Sequence, residues 1–511
     1  MKFNEEIGHY LDSQLNASDA ATDEGAIFSG LVQGKTFDKQ QLHSLKAEDN
    51  SATVKLDGQT FSIEQASDQP YYVNALLPPG EMRWNSGKPV GTPVNLTYSF
   101  MAAVPSYYNP RADGTIDFYG GYTGTGFTAF TPEQRTLAVQ ALNVWSAVAN
   151  ITFTEVSDAG DGGTIRFGYA KPNFGASGWA WTPSSYPNGG DVWLNSTVAN
   201  NLTPGSWSFG TLIHEIGHAL GLKHPFDMPT TMPTAQDNYQ YSNMSYTQHP
   251  DMPGVRPQTP QLYDIAAIQY LYGANMNTRL NNSTYSWDTN ATFIETIWDG
   301  GGIDTISAEN QTRNAVINLE AGSFSSVGAN RSSNAKNNVA IAYGVTIENA
   351  IGGSGSDRLF GNAINNLLQG GGSNDTLIGG RGTDTLLGGT GNDSLTGGGG
   401  VDRLTGGTGT DRFVFQSVTE GKDTITDFSV VDDTIDVSAA GFGGGLSAGA
   451  AIKPAQFTLG SAADDASERF IYNKSTGTLL FDVDGIGGTG QVQFATLSAG
   501  LAMTNNDIFV V

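Results

Sequence analysis

Cysteine is absent from the 511-residue chain, so neither disulfides nor thiolate metal ligands are available. No apolar run approaches the roughly 18 residues of a membrane-spanning helix, and residues 1–6 lack the apolar core of a signal peptide. Basic residues are scarce, with 25 Lys and Arg against 50 Asp and Glu, for a formal net charge of −25. This balance argues against nucleic acid as a partner, because phosphate binding needs clustered basic side chains.

Changes in composition predict three regions. Residues 1–80 are polar and read as a leader or pro-segment. Residues 81–275 read as a mixed α/β domain, with strands near 95–100 and 164–169 and helices near 131–148 and 209–222. Residues 276–511 are dominated by Gly, Asn, Asp, Ser and Thr, which predicts short strands and turns.

The most specific motif is a set of histidines at 214, 218 and 224, which are three of only six in the chain. On a helix His214 and His218 share a face, and a turn at Gly221 can bring His224 to the same point. Three neutral nitrogens with an open position are typical of a catalytic zinc site. Water bound there would have a pKa of roughly 7 and could attack an amide with Glu215 as general base. The alternative, a core helix that happens to carry histidines, is disfavoured by this spacing.

The stretch 214–224 resembles the extended zinc motif of the metzincin metalloproteases, and 242–246 resembles their methionine turn. The resemblance implies that Met244 forms a hydrophobic floor under the metal. It also implies that Tyr246 is a displaceable zinc ligand that stabilises the oxyanion. Taken alone Tyr246 would read as a packed aromatic, but its place beside Met244 favours the ligand role. Residues 217–225 and 264–275 are similar to the serralysin branch, and the likeness extends over about 84–511.

Substrate contacts are predicted at 176–181. Metzincins bind peptide as an added strand beside the upper edge of the catalytic sheet, and this segment lies where that edge strand is expected. We therefore predict that Trp179, Ala180 and Trp181 contact substrate. The two tryptophans could instead be surface packing, and the sequence does not decide between these alternatives.

A nine-residue period runs in register seven times through 352–414. The sixth position is acidic or amide, at Asp357, Asn366, Asp375, Asp384, Asp393, Asp402 and Asp411. The eighth position is apolar, at Leu359, Leu368, Leu377, Leu386, Leu395, Leu404 and Phe413. A disordered linker has no reason to keep this register. The pattern resembles the glycine-rich RTX nonapeptide repeat, which forms a parallel β-roll and binds Ca²⁺ through carboxylates and backbone carbonyls.

The resemblance implies several structural calcium ions, without which the repelling carboxylates should prevent folding. The predicted ligands are Asp299, Gly301, Gly302, Asp304, Thr346, Glu348, Gly353, Gly355, Asp357, Asn366, Gly371, Asp375, Gly380, Gly382, Asp384, Gly389, Gly391, Asp393, Gly398, Gly400, Asp402, Gly407, Gly409 and Asp411. A weaker match to a further loop covers Arg279, Asn281 and Ser283, and the unit with Asn366 is expected to hold its ion loosely.

The predicted fold is an α/β metzincin-like catalytic domain followed by an all-β parallel β-roll and a β-sandwich-like C-terminal domain. The predicted function is that of a secreted, monomeric zinc endopeptidase made as a zymogen and acting on protein and peptide substrates. The tail 507–511 resembles the uncleaved C-terminal signal that serralysins use with an ABC-type exporter. The competing class is a calcium-dependent binding protein with a vestigial protease domain. A lipase is disfavoured because no Gly-x-Ser-x-Gly motif is present.

Overall fold

The computed structural model describes residues 52–56, 59–63, 69–118, 121–160, 162–198, 201–330 and 333–511. The chain divides into two compact units, Met1–Ala75 and Leu76–Val511. In the first unit, strands β1 (Ala52–Leu56) and β2 (Gln59–Ile63) pair antiparallel, and a short helix α1 spans Tyr71–Asn74. The rest of the predicted leader up to residue 68 lies outside the described residues.

A seven-stranded mixed sheet begins the second unit. Its strands are β3 (Val94–Phe100), β4 (Ile116–Asp117), β5 (Thr123–Thr128), β6 (Ile151–Glu155), β7 (Ile165–Pro172), β8 (Gly178–Ala180) and β9 (Asp191–Asn195). The long strand β7 is central, because it pairs parallel with β3 and β9 and antiparallel with β5. In the described part of the chain β8 pairs only with β9, antiparallel, so β8 forms one edge of the sheet.

Three helices accompany this sheet: α2 (Pro132–Val148), α3 (Trp207–Leu220) and α4 (Leu262–Tyr272). Helix α2 begins with a capping box at Thr131 and buries one face at helical spacing, including Leu142 and Trp145. The Trp145 indole donates to the Ile213 carbonyl at 3.2 Å, which ties α2 to α3. The predicted helices and strands of this region are confirmed, with ends that differ by at most three residues.

Short strands account for almost all of the regular secondary structure in the described residues beyond α4. They are β10 (Thr284–Tyr285), β11 (Glu295–Ile297), β12 (Thr305–Ser307), β13 (Val316–Asn318), β14 (Phe324–Ser325), β15 (Ala329–Asn330), β16 (Ser333–Asn334), β17 (Val339–Ile341), β18 (Asn349–Ile351), β19 (Arg358–Phe360), β20 (Leu367–Gly372), β21 (Thr376–Gly382), β22 (Thr385–Thr390), β23 (Ser394–Gly400), β24 (Arg403–Thr408), β25 (Arg412–Phe415), β26 (Asp423–Ile425), β27 (Thr434–Val437), β28 (Ala450–Ala451), β29 (Phe457–Leu459), β30 (Phe470–Asn473), β31 (Thr478–Phe481), β32 (Val492–Thr496) and β33 (Ile508–Val510). A short helix α5 spans Ala439–Phe442, and 3₁₀ turns lie at Ser106–Tyr108, Pro454–Gln456 and Asn505–Asp507.

Successive repeat units enter two different sheets, and within each sheet the repeat strands pair parallel. Strands β20, β22 and β24 belong to one sheet of eleven strands, whereas β19, β21, β23 and β25 belong to another of eight. One full turn therefore takes two units, and Thr376 pairs with Ser394 one turn later. The seven eighth-position side chains are all fully buried, so they form the apolar ladder that the register predicts. We name residues 352–414, wound in this way, the repeat stack.

The last strand, β33, lies between β27 and β28 in the eight-stranded sheet. Its side chains Ile508 and Val510 are buried. Nearby, Phe442, Phe470 and Phe481 pack with ring centroids 5.0–6.1 Å apart. None of the helices in the described ranges is long and apolar enough to cross a membrane.

Candidate metal centre and substrate cleft

Helix α3 is held at both ends. At its start, the Ser206 hydroxyl accepts the amide hydrogen of Phe209 at 3.1 Å. At its end, Gly221 has φ of +113°, and a Cβ there would collide with the Met82 carbonyl. Only glycine fits this left-handed and crowded position. The chain reverses direction here and brings His224 back towards the helix.

The three histidines meet as predicted. The Nε2 atom of His224 lies 3.3 Å from that of His214 and 3.0 Å from that of His218. Nitrogens bound to zinc at 2.0–2.1 Å in a tetrahedral site are separated by roughly 3.3 Å, so the spacing suits one zinc ion. Of the described residues, these three alone form a cluster of potential metal ligands within 4.8 Å of one another.

Hydrogen bonds at the opposite ring nitrogens orient the imidazoles. His214 Nδ1 lies 2.8 Å from the Asn243 carbonyl, and His218 Nδ1 lies 2.8 Å from the Leu222 carbonyl. His224 Nδ1 lies 2.9 Å from Asp227 Oδ2. With Nδ1 donating, each Nε2 carries the free lone pair that binds a metal.

Burial favours the neutral, ligating form of each ring. It lowers the pKa of His218 to about 4 and lowers the pKa of His214 and His224, with mutual repulsion adding to the effect at His214. The donor set therefore fits zinc: three neutral imidazoles of fixed orientation converge on one point.

The methionine turn underlies this cluster. Met244 is fully buried, and its sulfur would lie 2.6 Å from a Cβ placed on Gly217. The turn is fixed by Asp264 near the start of α4, which accepts from the Ser242 hydroxyl at 2.6 Å and from the Asn243 amide at 2.7 Å. Because the Asn243 carbonyl in turn holds His214, a chain of hydrogen bonds runs from α4 to the histidine cluster.

Replacing Gly217 with alanine is expected to destabilise the protein by about 1–3 kcal/mol, because the new methyl overpacks against Met244 and Trp145. Chemical denaturation measures the change. In a Met244→Ala background the same substitution should cost much less. An equal cost in both backgrounds would show that the contact with Met244 is not the cause.

Tyr246 lies over the histidines. Its ring centroid is 4.7 Å from that of His224 and 5.6 Å from that of His214. It is 65% exposed, so little packing opposes its movement. Partial burial, followed by the Glu215 carboxylate, raises the pKa of Tyr246 to about 12, which keeps its hydroxyl protonated.

Glu215 faces the edge strand. A Cβ on Gly178 would lie 2.9 Å from both Cγ and Oε1 of Glu215, so only glycine leaves room for the carboxylate at this point of β8. Burial raises the pKa of Glu215 to about 8, and a cation at the histidines would oppose that rise. Glu215 and His214 line one cavity of about 260 Å³ together with residues 175–178 of the edge segment and Tyr246.

The predicted substrate-contact residues differ in placement. Trp179 packs on Trp193 with parallel rings 5.9 Å apart and touches Phe118 and Phe174 edge-on. Trp179 packs against a core cluster and does not line the cavity, so its position fits the packing alternative. Ala180 and Trp181 are half-buried and do not line the cavity around Glu215.

The repeat aspartates share one arrangement. Each Oδ1 accepts the backbone amide of the equivalent residue 18 positions earlier, as Asp393 does from Asp375 at 2.8 Å. The other carboxylate oxygen is buried without a hydrogen-bond partner in Asp375, Asp384, Asp393, Asp402 and Asp411. Buried anionic oxygens without donors fit a hard cation such as Ca²⁺.

Glycines make these carboxylates possible. A Cβ on Gly388 would lie 2.5 Å from the open oxygen of Asp393, and the first glycine of the neighbouring units is equally close to its own aspartate. Positive φ occurs at the predicted carbonyl donors Gly371, Gly380, Gly382, Gly389, Gly391, Gly398, Gly400, Gly407 and Gly409. Ser373 also has a positive φ, of +69°.

The first two units depart from this pattern. Both oxygens of Asp357 accept amide hydrogens, from Ala315 and from Gly353 at 2.6 Å. The amide of Asn366 is likewise engaged, since its oxygen accepts from Asn362 and its nitrogen donates to the Glu348 carbonyl. Neither side chain has the buried, unpartnered oxygen of the later units.

Two of the predicted calcium ligands upstream of the repeats, Asp304 and Glu348, are in direct contact. The Asp304 amide donates to Glu348 Oε2 at 2.7 Å, and Asp304 Oδ2 is buried without a partner. Asp299 accepts from the Gly301 amide and from the Tyr285 hydroxyl. Gly302 has φ of +144° and its backbone packs against Asn281, and Gly355 packs against Arg313. Thr346 is exposed.

Sequence reasoning gave no role to three residues of the site. Asp227 could have been found as a carboxylate three positions after a ligand histidine. Asp264 begins the segment 264–275 that resembles the serralysin branch. Its contact with the methionine turn depends on the tertiary fold. Arg256, which lines the cavity, stands alone in a proline-rich loop and carries no local signal.

Comparisons with known proteins agree with this geometry. The family described as Matrixin matches residues 127–273, and the family described as Peptidase M10 serralysin C terminal matches residues 263–510. Serralysin C of Dickeya chrysanthemi is 38% identical over 62% of this chain and 67% of its own length. Metalloprotease AprA of Pseudomonas entomophila (strain L48) is 37% identical over 60% and 66%, and a second Dickeya chrysanthemi serralysin C is 36% identical over 63% and 72%.

The matched segments thus span about two thirds of the length of these relatives. The fold and the three-histidine centre, with these matches, define a metalloendopeptidase with a matrixin catalytic region and a many-stranded C-terminal region. The chain belongs to the serralysin family.

Proposed function

We propose that this protein is a secreted zinc endopeptidase in which Glu215 is the general base and Tyr246 stabilises the oxyanion. The observation that carries the proposal is the meeting of three histidine nitrogens at one point, with His214 and the buried Glu215 lining the same open cavity. His214, His218 and His224 would hold the ion. Zinc bound there supplies a Lewis acid that polarises the scissile carbonyl and acidifies water.

The chain's own residues then handle substrate and protons. A peptide pairing with the outer edge of β8 would pass beside Glu215, because Gly178 of that strand abuts the carboxylate. Glu215 takes a proton from the attacking water and delivers it to the leaving amine when the C–N bond breaks. The protonated Tyr246 hydroxyl donates a hydrogen bond to the oxyanion that forms on the former carbonyl.

The C-terminal region is proposed to be a calcium-stabilised parallel β-roll followed by a β-sandwich-like end. The open oxygens of the later repeats and of Asp304 support this, as does the 18-residue turn. Maturation from a zymogen, export through an ABC-type exporter, and a monomeric state remain proposals that rest on family resemblance. The domain boundaries near residues 80 and 275 are also proposals, and they rest on changes in composition.

Zinc dependence tests the proposed activity. With calcium kept in excess, a zinc-selective chelator should abolish casein hydrolysis, and about one equivalent of Zn²⁺ should restore it. Circular dichroism before and after chelation controls for unfolding. Full hydrolysis by protein that retains less than a tenth of an equivalent of zinc would refute the proposal.

A further inference from the structure

Arg256 occupies one wall of the cavity that contains Glu215 and His214. Its guanidinium carbon lies 3.3 Å from the ring centroid of Trp207 and 4.3 Å from that of Tyr239, so the group stands between two aromatic side chains. Its aliphatic stem runs along helix α3, where a Cβ on Gly210 would lie 3.3 Å from Arg256 Cβ. The guanidinium therefore has a defined position beside the reacting centre.

No carboxylate neutralises this arginine. Within the described ranges, ion pairs within 4.0 Å are made by Arg166 with Asp158 and by Arg412 with Asp436, but none is made by Arg256. Among the same residues its one hydrogen bond is to the Tyr239 hydroxyl, and its Nε is buried without an acceptor. Guanidinium has five N–H donors, so most of its capacity is unused.

An unpaired cation is costly at such a position. Stacking on Trp207 and Tyr239 offsets part of its desolvation but supplies no negative charge. In a chain with twice as many acidic as basic residues, an arginine beside the reacting centre without a carboxylate is unexpected on structural grounds. A guanidinium that lines a cavity and lacks a carboxylate partner is suited to a carboxylate that arrives with the ligand.

We propose that Arg256 binds the carboxylate of an acidic substrate side chain next to the scissile bond, so that this peptidase prefers Glu or Asp at that position. The inference rests on the proposed peptidase function, since it concerns the substrate that the same cavity accepts. Trp207 and Tyr239 act as positioning residues that hold the guanidinium in place.

Peptide substrates that differ at one residue test the preference. Two fluorogenic series carry Glu, Gln or Leu immediately before or immediately after the bond that is cut. In one series the wild type should show a kcat/KM for Glu at least about tenfold above that for Gln, as expected for one charge-assisted contact. High salt should reduce this ratio because it screens the charge.

Variants test whether Arg256 causes the preference for Glu over Gln. Arg256→Gln should bring the Glu-to-Gln ratio to about one while the Leu peptide is still cut, and Arg256→Lys should retain part of the preference. Arg135→Gln is the matched control, since Arg135 also lies over an aromatic ring, 5.1 Å from the centroid of Phe100, but outside the cavity. It should leave the ratio unchanged.

The ratio of kcat/KM for the Glu peptide to that for the Gln peptide, measured on the wild type, tests the inference even if a variant folds poorly. Cleavage of the Glu and Gln peptides at equal rates in both series overturns the inference while leaving the peptidase function intact. A preference that survives in folded Arg256→Gln also overturns it. Failure of the wild type to cut any peptide would reject the proposed function and this inference with it.

Discussion

Glu215→Gln should lower kcat/KM for peptide hydrolysis by about 10²–10⁴-fold, the usual contribution of a positioned general base. The amide has nearly the size of the carboxylate and fits the same space beside Gly178, but it cannot accept the proton of the attacking water. Steady-state kinetics on a fluorogenic peptide measure the loss. It should appear in kcat, because the histidines and the cavity walls remain in place.

Two controls separate this loss from damage to the site. Zinc content should stay near one equivalent in Glu215→Gln, since the three imidazoles keep their own hydrogen bonds. Glu133→Gln makes the same chemical change in the first turn of α2 and should leave kcat unchanged. If Glu215→Gln kept activity within tenfold of wild type, Glu215 would not be the base.

Removal of calcium at neutral pH is expected to unfold the repeat stack. Without a cation the negative charges of neighbouring aspartates repel one another, as those of Asp357 and Asp393 repel that of Asp375. Far-UV circular dichroism during calcium titration should show a cooperative gain of strand signal, and protease resistance of the C-terminal region should rise with it.

The effect should depend on pH in a defined direction. Without calcium, burial raises the pKa of Asp375 and Asp384 to about 7 and that of Asp393 to about 6, from an ordinary value of 3.8. The unfolded chain therefore ionises first as pH increases. The calcium-free stack should be most stable below about pH 4 and should lose stability as pH rises through 6–7.

A matched pair of variants tests the carboxylates. Asp393→Asn keeps an oxygen for the Asp375 amide but loses the open anionic oxygen, so the calcium midpoint should rise on the order of tenfold. Asp288→Asn removes the same charge from an exposed position outside the repeats and should not shift it. Equal midpoints for the two variants, or strand signal indifferent to chelation, would contradict the proposal.

Local rules account for the features that the sequence predicts well. The helix of His214 and His218 needs only the four-residue spacing, and the turn at Gly221 needs only the conformational freedom of glycine. The alternating strands of the repeat stack follow from a fixed register of aspartate and leucine. These signals are contained in a few neighbouring residues, so no knowledge of the tertiary fold is needed.

The remaining features depend on contacts between distant segments. For Trp179 the sequence leaves substrate contact and packing both open, and its contact with Phe118, 61 positions away, is seen only in the tertiary fold. The cavity wall at Arg256 and the support of the methionine turn by Asp264 arise because separate loops meet at α3. The two early units, Asp357 and Asn366, fit the repeat by sequence yet receive partners from segments upstream of the stack.

The carboxylates of the repeat aspartates all accept hydrogen bonds from residues earlier in the chain. Each carboxylate serves an amide in the preceding turn, and the last two amides are served by Asp423 and Asp433, which lie beyond the repeats. The backbone amide that follows each aspartate donates in the opposite direction, as Ser394 does to the Asp375 carbonyl at 2.9 Å, so each turn depends on both of its neighbours. A defect in one turn should therefore weaken the turns on both sides of it, so the stack should fold and unfold as a cooperative unit closed at its C-terminal flank by Asp423 and Asp433.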